Sequence, residues 1–260
     1  MGVLDTFSLR GKVALVTGGG GLYGRQIVQA LAEAGARTFM ASRDPVRLES
    51  QARVFRDAGL DVTALFLDQS KVDSVRDLLA KLIRRVGAVD VLINNAVERP
   101  MKDWDGAEVY EQFAQSMAIN ATGLFVMMRE FGNHMAQHGR GSIINVGSIQ
   151  GCVGPDFSLY AGLDWGAPPD YFFHKGGLLQ LMRYAAAKLG PRGVRVNAIS
   201  PGGFLSDQDV AFVQRYNSRT FLGRMANDSD LKGAIVFLAS DASLYITGAN
   251  LIIDGGYTAK

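Results

Sequence analysis

The sequence predicts a doubly wound α/β fold, a parallel sheet of seven strands with helices on both faces. Three observations carry this. Short apolar runs rich in β-branched residues alternate with longer amphipathic stretches along the chain. Several amphipathic stretches stop on a glycine, where a positive φ is free of steric cost. No linker or compositional break divides the 260 residues, so the pattern reads as one domain, 1–260.

The elements follow in order. Residues 13–17 are a short buried-strand run, and 26–34 a helix closed by Gly35. Residues 38–41 are a strand and 46–58 a helix ending at Gly59. A strand at 62–67 leads to a helix at 72–86, closed by Gly87. Residues 89–93 are the fourth strand, followed by one long helix over 109–137. Then come a strand at 142–146, a helix at 172–189, a strand at 194–199, a helix at 231–238 and a closing strand at 250–253. Alternating β and α elements with right-handed crossovers give a sheet covered on both sides. Two stretches fit no element: 147–170, rich in Gly and Pro, and 200–226, long and polar. Long loops inside a compact domain are usually functional. They read as an active-site insertion over about 151–170 and a substrate loop over about 200–226.

Composition excludes several classes of partner. Charged residues make up 20% of the chain in both signs and leave a net charge of +2, too dispersed for nucleic acid or an anionic membrane. No apolar run is long enough to span a bilayer. Cys152 is the one cysteine, so no internal disulfide can form. A cytoplasmic protein is expected. His134 and His138 stand four apart on the long helix, a zinc-capable spacing, but no third ligand accompanies them. They read as a solvated helix face, and no metal is expected. Cys152 reads as a small buried filler, and Met127-Met128 as core.

Thr17-Gly18-Gly19-Gly20-Gly21-Leu22-Tyr23-Gly24 leaves the first strand and opens the first helix. Glycines let a backbone approach a pyrophosphate, and the helix N-terminus offers unpaired N–H groups and a positive dipole end. This is a dinucleotide cradle. An acid at the end of the next strand would bind both ribose hydroxyls and repel a 2′-phosphate. Ser42-Arg43 stands there instead, with Asp44 following. A guanidinium suits a phosphate, so NADP(H) is favoured, with NAD(H) possible.

Tyr171 and Lys175 lie i, i+4 on one helix face. A free phenol, pKa near ~10, is a poor base at neutral pH, but a nearby ammonium and a helix N-terminus both favour the phenolate. Ser148 follows the strand at 142–146, on the same sheet edge as the glycine loop, and Asn94-Asn95-Ala96 ends the strand before it. Gly147-Ser148-Ile149-Gln150-Gly151 lacks a nucleophile-elbow spacing, and no histidine partner accompanies it.

With these residues in place, the chain resembles the short-chain dehydrogenase/reductase family over nearly its whole length, closest in look to the gluconate 5-dehydrogenase-like branch. The resemblance also includes Asp68, Asn120, Pro201-Gly202, Thr247-Gly248 and Asp254-Gly255-Gly256. It implies a hydride transfer between NAD(P) and a secondary alcohol or ketone. Tyr171 would donate or accept the hydroxyl proton, and Lys175 would lower its pKa and bond the nicotinamide ribose. Ser148 would hold the substrate oxygen, and Asn120 would position a water linking Lys175 to solvent. Asp68 would contact the adenine, with Gln69 beside it, while Asn95 and Ala96 line the groove together with Gly18, Gly21, Leu22, Tyr23, Gly24, Pro201 and Gly202. A homotetramer is implied, packed through the long helix, the helix after Tyr171 and the C-terminal segment; Leu178, Leu179, Leu181 and Met182 offer apolar surface for it.

Four departures stand out. Leu22 replaces the usual central glycine, although Gly21 restores a related spacing. Val97 replaces the glycine after Asn-Asn-Ala. Ser148 and Tyr171 are further apart than usual. His174 precedes Lys175 where the family has a small residue. The third departure makes Tyr160 a rival, but Asp164 four residues on would raise its pKa, so Tyr171 is preferred. The rival function classes are an epimerase, dehydratase or lyase on the same fold, and a non-catalytic cofactor sensor. The candidate substrate residues Gln150, Tyr160, Trp165, Arg99, Arg215, Arg219 and Arg224 mix aromatic, polar and cationic groups. They suit a sugar acid or polyol, with an arginine of the 200–226 loop clamping an anionic group.

Overall fold

The computed structural model describes residues 2–102 and 104–259. Seven strands form one sheet: β1 (Val13–Thr17), β2 (Arg37–Ser42), β3 (Val62–Phe66), β4 (Val91–Asn94), β5 (Gly141–Val146), β6 (Val194–Pro201) and β7 (Asn250–Ile253). Every pairing is parallel, in the order β3-β2-β1-β4-β5-β6-β7. The order reverses between β1 and β4, and such a reversal opens a crevice beyond the carboxyl ends of the two strands.

The helices are α1 (Leu22–Glu33), α2 (Pro45–Asp57), α3 (Val72–Val86), α4 (Val109–Met117), α5 (Leu124–Gln137), α6 (Pro169–Leu189), α7 (Val210–Arg219) and α8 (Lys232–Ala239). Strand side chains alternate between two cores. On one face Ala14, Val16, Val91 and Ile93 meet Ile27, Leu31, Leu48 and Ile235 of α1, α2 and α8. On the other, Leu15 and Leu92 meet Leu78, Met127, Phe131 and Met182 of α3, α5 and α6.

The differences from the sequence expectation are local. The helix expected at 26–34 begins at Leu22, because Gly21 in extended backbone already caps it. The long helix runs from Val109 to Gln137 but is interrupted by a π-helical stretch, Ala118–Gly123, which contains Asn120. π-segments inside α-helices concentrate at functional sites. Helix α7 lies within the stretch read as a loop, and α6 starts at Pro169, so Tyr171 sits in its first turn.

Three side-chain expectations are corrected. His134 is buried, not solvated, and its Nε2 accepts the Val89 N–H at 3.3 Å. Cys152 is exposed. Leu178, Leu179 and Met182 are buried within the subunit core and Leu181 is partly buried against it, so these four leave little apolar surface for a partner. Met127 and Met128 are core residues, as read.

Candidate active site

The carboxyl ends of β1, β2, β4, β5 and β6 open into one cleft of about 820 Å³. Its floor at β1 is tightly knit. Thr17 Oγ1 accepts the N–H groups of Asn95 at 3.1 Å and Ala96 at 3.0 Å. The Asn95 amide donates to the carbonyls of Thr17 at 3.1 Å and Gly18 at 2.9 Å. These bonds draw the two loops so close that a Cβ on Gly18 would lie 2.8 Å from Ala96 Cα, and one on Gly24 2.2 Å from the Gly18 carbonyl. Gly18 also has φ +63°. Gly21 is roomier, and Leu22 lines the cleft at the start of α1. A backbone cradle without side chains at the head of a helix fits a pyrophosphate. Tyr23 lines the cleft too, and its hydroxyl donates to the Gly202 carbonyl at 2.7 Å. Burial raises its pKa far above the ordinary phenol value.

At the far end of the cleft, Ser42 and Arg43 close β2. The Arg43 guanidinium is ion-paired with Glu98. The Asp44 carboxylate accepts the Arg47 N–H at 2.9 Å, capping α2. Asp68 accepts from Ser70 Oγ at 2.6 Å and from the Ser70 N–H at 3.1 Å. The Ser70 hydrogen bonds hold its carboxyl below the usual range, with Lys71 adding to them. Gln69 is buried, and its amide donates to the Ile119 carbonyl at 3.2 Å.

The chemistry-bearing residues meet at the near end. Tyr171, Lys175 and Ser148 are all buried and line the cleft. Lys175 Nζ donates to the Val146 carbonyl at 2.6 Å and lies 5.6 Å from the Tyr171 ring centroid. The Arg99 guanidinium carbon stands 4.4 Å from the same centroid. Burial alone would raise the Tyr171 pKa. The charges of Lys175 and Arg99, with hydrogen bonds from Ser148 and Arg99, outweigh it and bring the phenol below 10.0. Burial depresses Lys175, with Tyr171 opposing. The Ser148 hydroxyl oxygen accepts the Gln150 N–H at 3.2 Å.

Tyr160, the rival, behaves oppositely. Burial raises its pKa, and that is the main cause in place of the expected Asp164. Its hydroxyl accepts from Gln150 Nε2 at 3.4 Å. Its ring packs on Trp165 and Phe212, with centroids at 5.2 and 5.5 Å. His174 packs edge-on to Tyr171 at 5.1 Å. Burial, reinforced by Lys175 and Arg99, brings its pKa down to about 3, so the imidazole is neutral at pH 7.

The Asn120 side chain is bonded to neighbouring residues of the protein. Its Oδ1 accepts the Glu98 N–H at 3.0 Å, and its Nδ2 donates to the Glu98 carbonyl at 2.8 Å and to Ser116 Oγ at 3.0 Å. The side chain thus holds the 97–99 segment, and it is Ile119 that lines the cleft.

The arginine clamp expected from the 200–226 loop is corrected, because its three arginines are engaged elsewhere. Arg215 donates to the carbonyls of Leu159 at 3.2 Å and Ala161 at 2.6 Å. Arg219 pairs with Asp156 at 3.0 Å and donates to Ser158 Oγ. Arg224 forks onto Asp230 at 2.6 and 2.8 Å. None of the three lines the cleft. Together the first two strap α7 to the 151–170 insertion. Phe212 and Tyr216 of α7 do line the cleft, as does Glu98. The i, i+4 spacing of Phe212 and Tyr216 carries a helical signal; nothing local marks Glu98.

Residues 23–258 match the family model for enoyl-(acyl carrier protein) reductase. The galactitol 2-dehydrogenase (L-tagatose-forming) of Cereibacter sphaeroides is 33% identical over 97% of both chains. The 2-dehydro-3-deoxy-D-gluconate 5-dehydrogenase of Bacillus subtilis (strain 168) is 34% identical over 100% of both. A solved gluconate 5-dehydrogenase from Burkholderia cenocepacia J2315, in complex with NADP and tartrate, matches with a TM-score of 0.90 at 31% identity over 100% of both chains. With the sheet order, the cradle and the buried Tyr171–Lys175 pair, these matches establish that the chain belongs to the short-chain dehydrogenase/reductase family and is an NAD(P)-dependent oxidoreductase.

Proposed function

We propose that this enzyme interconverts a secondary alcohol and a ketone on a sugar acid, with Tyr171 as acid/base and Arg99 holding the carboxylate. The observation that carries the reading is the buried Tyr171 phenol, flanked by two cations, Lys175 and Arg99. Lys175 and Arg99 lower the Tyr171 pKa and so favour its phenolate, whose oxygen can take the hydroxyl proton during oxidation and return it during reduction. Ser148 holds the substrate oxygen beside it. Arg99 presents a planar fork at the same place, which suits a carboxylate. Gln150, Tyr160 and Trp165 offer a hydrogen-bonding and stacking wall for a hydroxylated chain. The named activity of the B. subtilis relative, on a deoxygluconate, agrees with this chemistry, and that of the C. sphaeroides relative, on galactitol, agrees with its secondary-alcohol part alone.

The dinucleotide supplies or accepts the hydride when bound. Gly18, Gly21, Leu22, Tyr23 and Gly24 cradle its pyrophosphate, Asn95, Ala96, Pro201 and Gly202 line its path, and Asp68 and Gln69 bound the adenine end. Arg43, with Ser42, favours NADP(H) over NAD(H) by offering a permanent charge to a 2′-phosphate. The chain is one catalytic domain with two cover segments, about 151–170 and 200–226. We place it in the cytoplasm; no helix among the described residues is long and apolar enough to cross a membrane. A homotetramer is supported by exposed Tyr110, Phe125, Phe173 and Tyr184 on α4, α5 and α6, and by Leu251 and Ile252 of β7. A monomeric mass by light scattering at micromolar concentration would contradict it.

The test is a matched pair of substrates, an aldonic acid and the polyol lacking its carboxylate. Reduced nicotinamide should accumulate with a kcat/KM about tenfold or more higher for the acid, the scale of one charge-assisted contact. Equal values for the pair would overturn the carboxylate reading.

A further inference from the structure

Arg43 is not free to receive a ligand, since its guanidinium is paired with the Glu98 carboxylate across the cleft that both residues line. Both side chains are partly exposed, 55% and 34%, so a solute can reach the pair. The Glu98 main chain is anchored on both its N–H and its carbonyl by the buried Asn120 amide, at 3.0 and 2.8 Å. The carboxylate can therefore swing, but the backbone that carries it cannot withdraw. The other acid beside Arg43, Asp44, is engaged as the cap of α2.

We propose that Glu98 is a cofactor-discriminating residue, an internal anion that occupies Arg43 where a 2′-phosphate would bind. A phosphorylated dinucleotide gains Arg43 only by displacing this carboxylate, and then lies close to its negative charge. A dinucleotide without the phosphate leaves the pair intact and avoids that competition. The enzyme thus carries a phosphate-binding cation together with its counter-ion, an arrangement that narrows the gap between NADP(H) and NAD(H). This rests on the reading that Arg43 faces the 2′-phosphate, as the end of the second strand does in dinucleotide folds.

The experiment titrates the purified protein with NADPH and with NADH, following ligand fluorescence, for wild type, Glu98→Gln, Arg43→Ala and the double variant. Glu98→Gln keeps the side-chain shape and both backbone bonds to Asn120; a thermal melt checks the fold, and Glu98→Ala should act in the same direction. Glu98→Gln should tighten NADPH by about fivefold, the scale of a partly exposed ion pair, and leave NADH within about twofold. In the Arg43→Ala background the same substitution should no longer help NADPH through Arg43, so the gain shrinks. If Arg43→Ala weakens NADPH but Glu98→Gln does not tighten it, the Glu98 proposal fails alone. If Arg43→Ala leaves NADPH unchanged, the placement of the phosphate fails, and this proposal with it. Equal weakening of both cofactors by Glu98→Gln would make the pair a general clasp and overturn discrimination.

Discussion

The floor of the cleft and its cover are held together by different forces. The floor is a set of buried and part-buried polar bonds. Thr17 and Asn95 tie the glycine loop to β4, and the Asn94 amide donates to Asn145 Oδ1 at 2.9 Å, whose own amide donates to the Asn197 carbonyl at 3.1 Å. The Asn94, Asn145 and Thr17 side chains are buried and would be costly to leave unpaired. The cover, made by 151–170 and α7, rests on the aromatic cluster of Tyr160, Trp165, Phe212 and Tyr216 and on exposed arginine straps. Exposed ion pairs contribute little, about 0–1 kcal/mol. The contrast separates two tasks: the floor fixes the reacting geometry, while the cover can change with the substrate.

Substitutions on either side of the cleft test this contrast. Arg99 belongs to the floor side, and Arg99→Ala should have the larger effect. It removes a cation that lowers the Tyr171 pKa, so that pKa rises. In the oxidation direction the phenolate is the base, and activity falls as pH drops below its pKa. The acid limb of the kcat profile should therefore move to higher pH. At neutral pH kcat should fall by on the order of tenfold, the combined worth of an exposed cation over an aromatic ring and of its hydrogen bond to the phenol. A profile with an unmoved limb would exclude Arg99 from the acid/base group.

Arg219→Ala, on the cover, should have a smaller and different effect. It cuts the strap to Asp156 and Ser158, loosening the cover without touching the floor. KM should rise about two- to fivefold, with kcat and cofactor affinity nearly unchanged, since a partly exposed pair is worth about 1 kcal/mol or less. A loss of cofactor affinity as large as the loss of substrate affinity would mean that floor and cover are one unit.

The same division explains what was legible in the sequence. All seven strands could be read: most are buried on both faces and form continuous apolar runs, while the partly exposed β3 and β7 are still short runs of mainly apolar residues. Tyr171 was legible despite its displaced spacing from Ser148, because Lys175 marks it one helical turn on. Helix α7 was not, because its apolar side packs on the cover cluster around Leu159 and Met225 and not on the sheet, leaving a mostly polar segment. Arg215 and Arg219 read as a clamp because the partners they hydrogen-bond are invisible locally, 54–61 positions away, whereas Arg224 forks onto Asp230 only six positions on. Glu98 escaped for the same reason, its partner Arg43 lying 55 positions away.

Tyr171 and Tyr160 both line the cleft, and the proton is assigned to Tyr171 and not to Tyr160. Tyr171→Phe and Tyr160→Phe should be compared in single-turnover oxidation of the preferred sugar acid, with cofactor binding measured alongside. Tyr171→Phe should lose at least about a hundredfold in rate while still binding the dinucleotide, the usual scale for removing an acid–base group, and Tyr160→Phe should change mainly KM. A dead Tyr160→Phe beside a healthy Tyr171→Phe would contradict this assignment.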